Sequence, residues 1–288
     1  MSWDGTRNGV LKGQVSPTAI WSQSPDGSRY VIDRMVYDRD GRQVGALPWQ
    51  DTDQFTWAKG GEFACKAAHQ AAASGGSGTP LRLETAVPGQ PPRVVAAGYG
   101  TYSDNARYDV LACDPKTDRA IVAAFGQGLF AGRLWVFRLS TGALVRSADL
   151  GAGATGSWVT ASDDGAMLAE SIRDAVGSTT TTIRRADDGA SLGTVKDFEA
   201  HGFLTDGSLL NGFGVRDAND LVDWKTGRVL WSATGYVYRN GFVPDPAGGH
   251  IAIALGFDGT LKDQDVFIVA ADGTSMRLPK GVLIGGRC

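Results

Sequence analysis

The chain is poor in cysteine, histidine, lysine and long apolar runs. Its three cysteines, Cys65, Cys113 and Cys288, stand far apart in 288 residues. An odd count at that spacing excludes a disulfide-dense scaffold and any Cys-x-x-Cys metal or redox motif. The three histidines, His69, His201 and His250, share no His-x-His or His-x-x-x-His spacing, which argues against a metal site built mainly on histidine or cysteine. No apolar stretch approaches the ~18–20 residues of a membrane span. Met1 to Gly13 lacks a charged start followed by an apolar segment, so no signal peptide is read there. That fits either a cytoplasmic protein or one whose leader or anchor has been removed. Twenty-eight basic against 31 acidic residues leave a formal charge of −3. This near-neutral balance excludes a strongly basic nucleic-acid binder or a polybasic membrane-surface protein as the default. Catalytic punctuation is also missing. There is no Gly-x-Ser-x-Gly elbow, and Gly126-Gln-Gly128 and Gly151-Ala-Gly153 lack the strand-and-helix context of a nucleotide loop.

Glycine is abundant instead, with 40 residues, or about twice its average usage. A hydrophobic share of 42% still allows a real core, but one that turns interrupt often. The turns recur. A polar turn followed by an apolar run reads Ser24-Pro-Asp-Gly-Ser-Arg-Tyr-Val-Ile32 and returns near Ala58, Asp114, Ser162, Leu204 and Pro244. A strand–turn–strand signal reads Met35-Val-Tyr-Asp-Arg-Asp-Gly-Arg-Gln-Val44, and its glycines fall at 41, 89, 142, 189, 227 and 273. The two signals alternate six times, with an average period of about 46 residues. A repeat of ~40–50 residues with four short strands is a β-propeller blade, a small sheet that buries its faces only against its neighbours in a ring. Apolar alternation with period two, as in Ile251, Ile253 and Leu255, agrees with strands. The reading is therefore an all-β, six-bladed propeller in one domain spanning 1–288, with blades at about 16–48, 54–96, 106–150, 156–195, 199–234 and 238–280. Residues 9–15 and 281–286 are left to close the ring or to form remnants of a seventh blade.

The Ser-Pro-Asp-Gly turn with its apolar strand and Val-Tyr-Asp-x-x-Gly resembles the WD40-like and PD40-like β-propellers of bacteria, over roughly residues 16–280. One repeat, Leu221-Val-Asp-Trp-Lys-Thr-Gly-Arg-Val-Leu-Trp231, is similar to the pyrroloquinoline-quinone-type propeller repeat. In that family many blades carry the tryptophan. Here only Trp231 fits, so the likeness supports the fold and not quinone binding. The resemblance implies a binding or scaffold module, often extracytoplasmic. Few lysines (8 against 20 arginines) and many Gly, Ser, Thr and Ala residues lean the same way.

Propeller ligands usually sit over the loops joining second to third strands and the loops joining blades. Within those loops Arg173-Asp174 and Arg216-Asp217 occupy matching places, with Asp33 and Asp258 at similar positions. Asp33, Asp174, Asp217 and Asp258 are candidate oxygen ligands for a cation such as Ca²⁺ at a channel mouth; the other reading is that each pair ties down its own loop. Trp49, Tyr99, Tyr102, Tyr236 and Tyr238 are candidate anchors for a partner, or aromatics packed between blades. Asp163-Asp164 and Asp187-Asp188 read as turns. Cys65 and Cys113 fall on strands that can be neighbours across a blade junction, so they are either a disulfide or two buried thiols. The expected function is a non-catalytic module that needs no cofactor and holds a protein or polymer on its loop face, extracytoplasmic or secreted. The rival is a hydrolase or lactonase with a carboxylate-lined, Ca²⁺-dependent mouth.

Overall fold

The structure, a computed structural model, describes residues 21–49, 55–69, 80–99, 107–126, 131–151, 154–204, 207–214, 218–236, 238–245, 248–256 and 264–278. Among them lie 24 strands in six sheets of four. Blade 1 holds β1 (Trp21–Gln23), β2 (Arg29–Ile32), β3 (Met35–Asp38) and β4 (Gln43–Ala46); blade 2 holds β5 (Thr56–Trp57), β6 (Ala64–His69), β7 (Leu81–Ala86) and β8 (Arg93–Tyr99). Blade 3 is β9 (Arg107–Asp114), β10 (Arg119–Phe125), β11 (Ala131–Arg138) and β12 (Leu144–Asp149); blade 4 is β13 (Gly156–Ala161), β14 (Met167–Arg173), β15 (Thr179–Arg185) and β16 (Ser191–Lys196). Blade 5 comprises β17 (Glu199–Phe203), β18 (Leu209–Phe213), β19 (Asn219–Asp223) and β20 (Arg228–Ala233); blade 6 comprises β21 (Tyr238–Pro244), β22 (His250–Gly256), β23 (Gln264–Ala270) and β24 (Ser275–Arg277). Each sheet is an antiparallel meander in chain order, and together they form a six-bladed β-propeller.

The glycines that mark the repeat make the outer turns. Gly41, Gly89, Gly142, Gly189, Gly227 and Gly273 all take positive φ, from 71° to 90°. That conformation reverses the chain tightly without a Cβ clash. A register shift in the pairing of third and fourth strands accompanies the turn in blades 1 to 5. The inner turns use Gly27, Gly61, Gly165, Gly207 and Gly248 in the same way. In blade 3 no glycine is present and Asp118 adopts φ 55° instead. Its carboxylate accepts bonds from the Ser140 amide (2.7 Å) and hydroxyl (2.8 Å). Aspartate is among the few residues that tolerate this region.

Both turn families lie at one end of the sheets, here called the turn face. The connections from second to third strands and from blade to blade lie at the other end, the loop face. Those connections differ in length. Only Asp33 and Arg34 separate β2 from β3, whereas β6 ends at His69 and β7 begins at Leu81.

Burial places the axis. The fourth strands are the most exposed, with β24 open along its whole length, and so form the rim. The second strands β10 and β22 are buried at every position after the first. Both faces of a blade are covered, and in β22 the alternation is between large and small side chains. Ile251, Ile253 and Leu255 pack against Leu204, Leu209 and Leu221 of blade 5. Ala254 belongs to a separate cluster with Val266, Ile268 and Leu278. Each fully buried Leu or Ile contributes roughly 1.5–3 kcal/mol. Five such apolar seams join successive blades from 1 to 6. The seam between blades 2 and 3 also carries a disulfide from Cys65 on β6 to Cys113 on β9, with Cα atoms 6.4 Å apart. Trp231 on β20 packs on Phe267 of blade 6, 5.4 Å between ring centroids. Residues 9–15 and 281–286, to which ring closure was assigned, lie outside the described residues.

Candidate functional site

The described part of the loop face is built from strand ends. First and third strands begin there; second and fourth strands finish there. Arg173, the last residue of β14, is exposed. Its guanidinium lies 5.1 Å from the ring of Trp158 and donates to Glu199 Oε2 (3.3 Å) at the start of β17 and to Thr179 Oγ1 (3.3 Å). The other Glu199 oxygen accepts from His201 Nε2 at 2.9 Å. His201 in turn meets Phe213 edge-on. Arg173 thus bridges blades 4 and 5.

Asp174 behaves differently from its neighbour. Its Oδ1 accepts from the amides of Val176 (3.0 Å) and Ser178 (2.9 Å), and its backbone carbonyl accepts from Thr155 Oγ1 (2.8 Å). That carboxylate pins its own loop. Asp33 sits exposed at φ 56° in the short blade 1 connection. Tyr102, Arg216, Asp217 and Asp258 lie outside the described residues, as does the side chain of Tyr238. Among the described residues no three His, Cys, Asp or Glu side chains come together as a metal site.

The aromatic candidates among the described residues, Trp49, Tyr99 and Tyr236, are engaged between blades. Trp49 is 7% exposed, stacks on Phe55 and donates from Nε1 to Glu84 Oε2 (2.9 Å). Tyr99 packs edge-on against Phe137 of blade 3, 5.0 Å away, and points its hydroxyl at the Gly142 carbonyl. Tyr236 donates to Asp265 Oδ2 (2.7 Å) and packs on Phe267. Burial, and then the bond to Asp265, push the Tyr236 hydroxyl up to about 12.

A shared pattern emerges from these contacts. A carboxylate near the loop face, buried in Glu84, Glu199 and Asp265 and largely covered in Asp109, pins an arginine that is half out in solvent. Glu84 holds Arg82 (2.6 Å), Asp109 holds Arg107 (2.6 Å), Glu199 holds Arg173, and Asp265 holds Arg277. The arginine side chains are 40–52% exposed and their carboxylates only 3–18%. In three of the four, a second donor fixes the carboxylate: Trp49, His201 or Tyr236. A buried carboxylate is costly unless paired in this way. Arg107 also lies over the Phe125 ring at 5.3 Å. Burial pushes the Asp109 carboxyl up against the opposing pull of Arg107. Arginine pairs toward the turn face lack that asymmetry: Arg119 with Asp187, and Arg146 and Arg184 with Glu170, keep their arginine side chains largely covered, at 16–32%, whereas Arg185 and Asp188 are both open, at 56% and 50%.

Sequence reading found Trp49, Arg173 and Tyr236 but not the carboxylates that organise them. Arg82-Leu-Glu84 and Arg107-Tyr-Asp109 carried a usable signal, since i and i+2 on a strand share one face. Glu199 and Asp265 had none, because their arginines come from a different strand or a neighbouring blade. Compared with known protein families and with curated proteins, the sequence matches none.

Proposed function

We propose that this propeller is a non-catalytic binding module that holds a protein or polymer ligand on its loop face, with no cofactor. One observation carries the reading: the two faces are unequal. The turn face repeats two tight glycine turns nearly unchanged from blade to blade. The loop face varies its connections, from the two-residue step after Ile32 to the long span between His69 and Leu81. Variable loops on a rigid scaffold are where binding residues concentrate. The buried Cys65–Cys113 bridge supports an extracytoplasmic setting, where such bonds persist. The Ser-Pro-Asp-Gly turn supports the likeness to bacterial WD40-like and PD40-like propellers, and the contact of Trp231 with Phe267 is the kind of blade lock that the quinone-type repeat uses.

The test is a peptide and glycan array probed with three proteins: the native chain, a variant with the 70–79 span replaced by Asn-Gly, and a variant changed at exposed turn-face residues Arg39 and Asp40. Binding that the loop-face change abolishes and the turn-face change spares is expected. Binding that follows the turn face, or turnover of an arrayed substrate, would overturn the reading.

A further inference from the structure

Building on that loop-face reading, we infer that the ligand is an acidic segment of a partner protein, received by the pinned arginines Arg82, Arg107, Arg173 and Arg277. These four lie at the loop-face ends of β7, β9, β14 and β24, in blades 2, 3, 4 and 6. Locking blades together explains why a carboxylate meets each guanidinium. It does not explain why these four arginine side chains stay half exposed over covered acids, when the turn-face arginine pairs are either covered on both sides or, in Arg185–Asp188, open on both. With the acid buried and the base outside, what a ligand meets is mainly the cation. A guanidinium carries five N–H donors, and each carboxylate engages only one or two of its nitrogens. The second donors Trp49, His201 and Tyr236 hold the carboxylate, and stacking on Phe125 and Trp158 holds Arg107 and Arg173. Such arginines lose little freedom on binding a carboxylate by parallel N–H···O bonds.

The same geometry selects the class of partner. The guanidinium groups of Arg107 and Arg173 already lie over the aromatic rings beside them, which leaves carboxylate recognition favoured over the stacking of a sugar or a base. Arg133 is not one of the set, since its partner Asp149 is itself 64% exposed and offsets its charge at the surface.

The probe is a fluorescein-labelled oligoglutamate peptide, read by anisotropy against the intact chain at low ionic strength. Oligolysine, polygalacturonate and single-stranded DNA serve as comparisons. Two charge-neutral double variants remove an anchor without stranding its buried acid: Arg107→Gln with Asp109→Asn, and Arg173→Gln with Glu199→Gln. The expected result is saturable oligoglutamate binding that each double variant weakens roughly tenfold, the loss of one interface anchor, while circular dichroism shows native folding. Arg82→Gln with Glu84→Gln serves as a third variant should either of the others unfold. No saturable binding, binding unchanged in the folded variants, or equal affinity for oligolysine would overturn the inference. Tighter binding of polygalacturonate or DNA would overturn the protein class of the ligand. A loop-face ligand on the array that carries no acid would sink this inference and leave the binding-module reading standing.

Discussion

Gly142 and Gly227 occupy the same turn in blades 3 and 5 under different constraints. A Cβ on Gly142 would stand 1.9 Å from the Val95 carbonyl of blade 2; one on Gly227 would meet nothing within 4 Å. Gly227→Ala therefore costs only the left-handed backbone, about 1–2 kcal/mol. Gly142→Ala must also push a blade aside, and urea unfolding should show the larger loss there. Equal losses would mean that the turn does not press on blade 2. Two aspartates make opposite pH predictions. Asp220 is buried, one of its oxygens has no partner, and burial pushes its carboxyl up against a bond from Ser232. Its folded form favours the proton, so its stabilising share is complete below the ordinary aspartate range and lost as pH rises through the folded value. Asp220→Asn should therefore raise the melting temperature at neutral pH and change little near pH 3, below the ordinary aspartate value of about 3.9. Asp187 is held down by two hydrogen bonds from Arg119, 2.8 and 2.6 Å. Its contribution is present above the ordinary range and lost as pH falls through the lowered value, so Asp187→Asn should destabilise at neutral pH and not in acid. Thermal melts of both variants across pH decide each sign.

At the scale of strands and seams, the disulfide closes a sequence separation of 48 residues between blades 2 and 3. On a chain-entropy account, that constraint is worth about 4 kcal/mol. Cys65→Ala with Cys113→Ala should lose stability of that order, and the denatured native protein should offer one reactive thiol. Three reactive thiols in denaturant would show that the bridge does not form. The elements themselves were legible, because turn chemistry is local. An Asp-Gly or Thr-Gly pair followed by alternating apolar residues specifies a hairpin with little help from the rest of the chain. The seams were only half legible. Ile121 and Val122 are adjacent and both fully buried, facing different neighbours, and a sequence cannot announce that two sheets will cover one strand. The candidate site was harder still. Asp174 and Arg173 look like a pair, yet Asp174 closes its own loop while Arg173 reaches Glu199, a residue 26 positions away. Aromatics at loop positions, Trp49 and Tyr236, turned out to fix buried acids, and nothing local distinguishes that use from an exposed anchor.

For the molecule as a whole, the binding-module reading expects a melting temperature indifferent to Ca²⁺ and EDTA. A ligand at ~100 times its dissociation constant adds ~2.7 kcal/mol, so a cation at the channel mouth would be visible. A Ca²⁺-dependent rise reversed by EDTA would revive the carboxylate-lined mouth. The inequality of the two faces makes a second expectation: four residues inserted after Gly75 should cost well under the same insertion after Gly189, since lengthening a long loop adds only ~0.6 kcal/mol per doubling. Calorimetry that finds equal costs would count against the scaffold-and-loop division. The seams have a directional consequence. Each joins the trailing side of one blade to the leading side of the next: Ile121 and Leu134 of blade 3 meet Leu168 of blade 4, and Ile183 of blade 4 meets Phe203 of blade 5. Such contacts are heterologous and have no two-fold partner. They end only when a ring shuts on itself. Two blades cut from this chain would therefore carry unlike, mutually fitting ends, and would be expected to grow as a one-way filament and not to pair as a symmetric dimer.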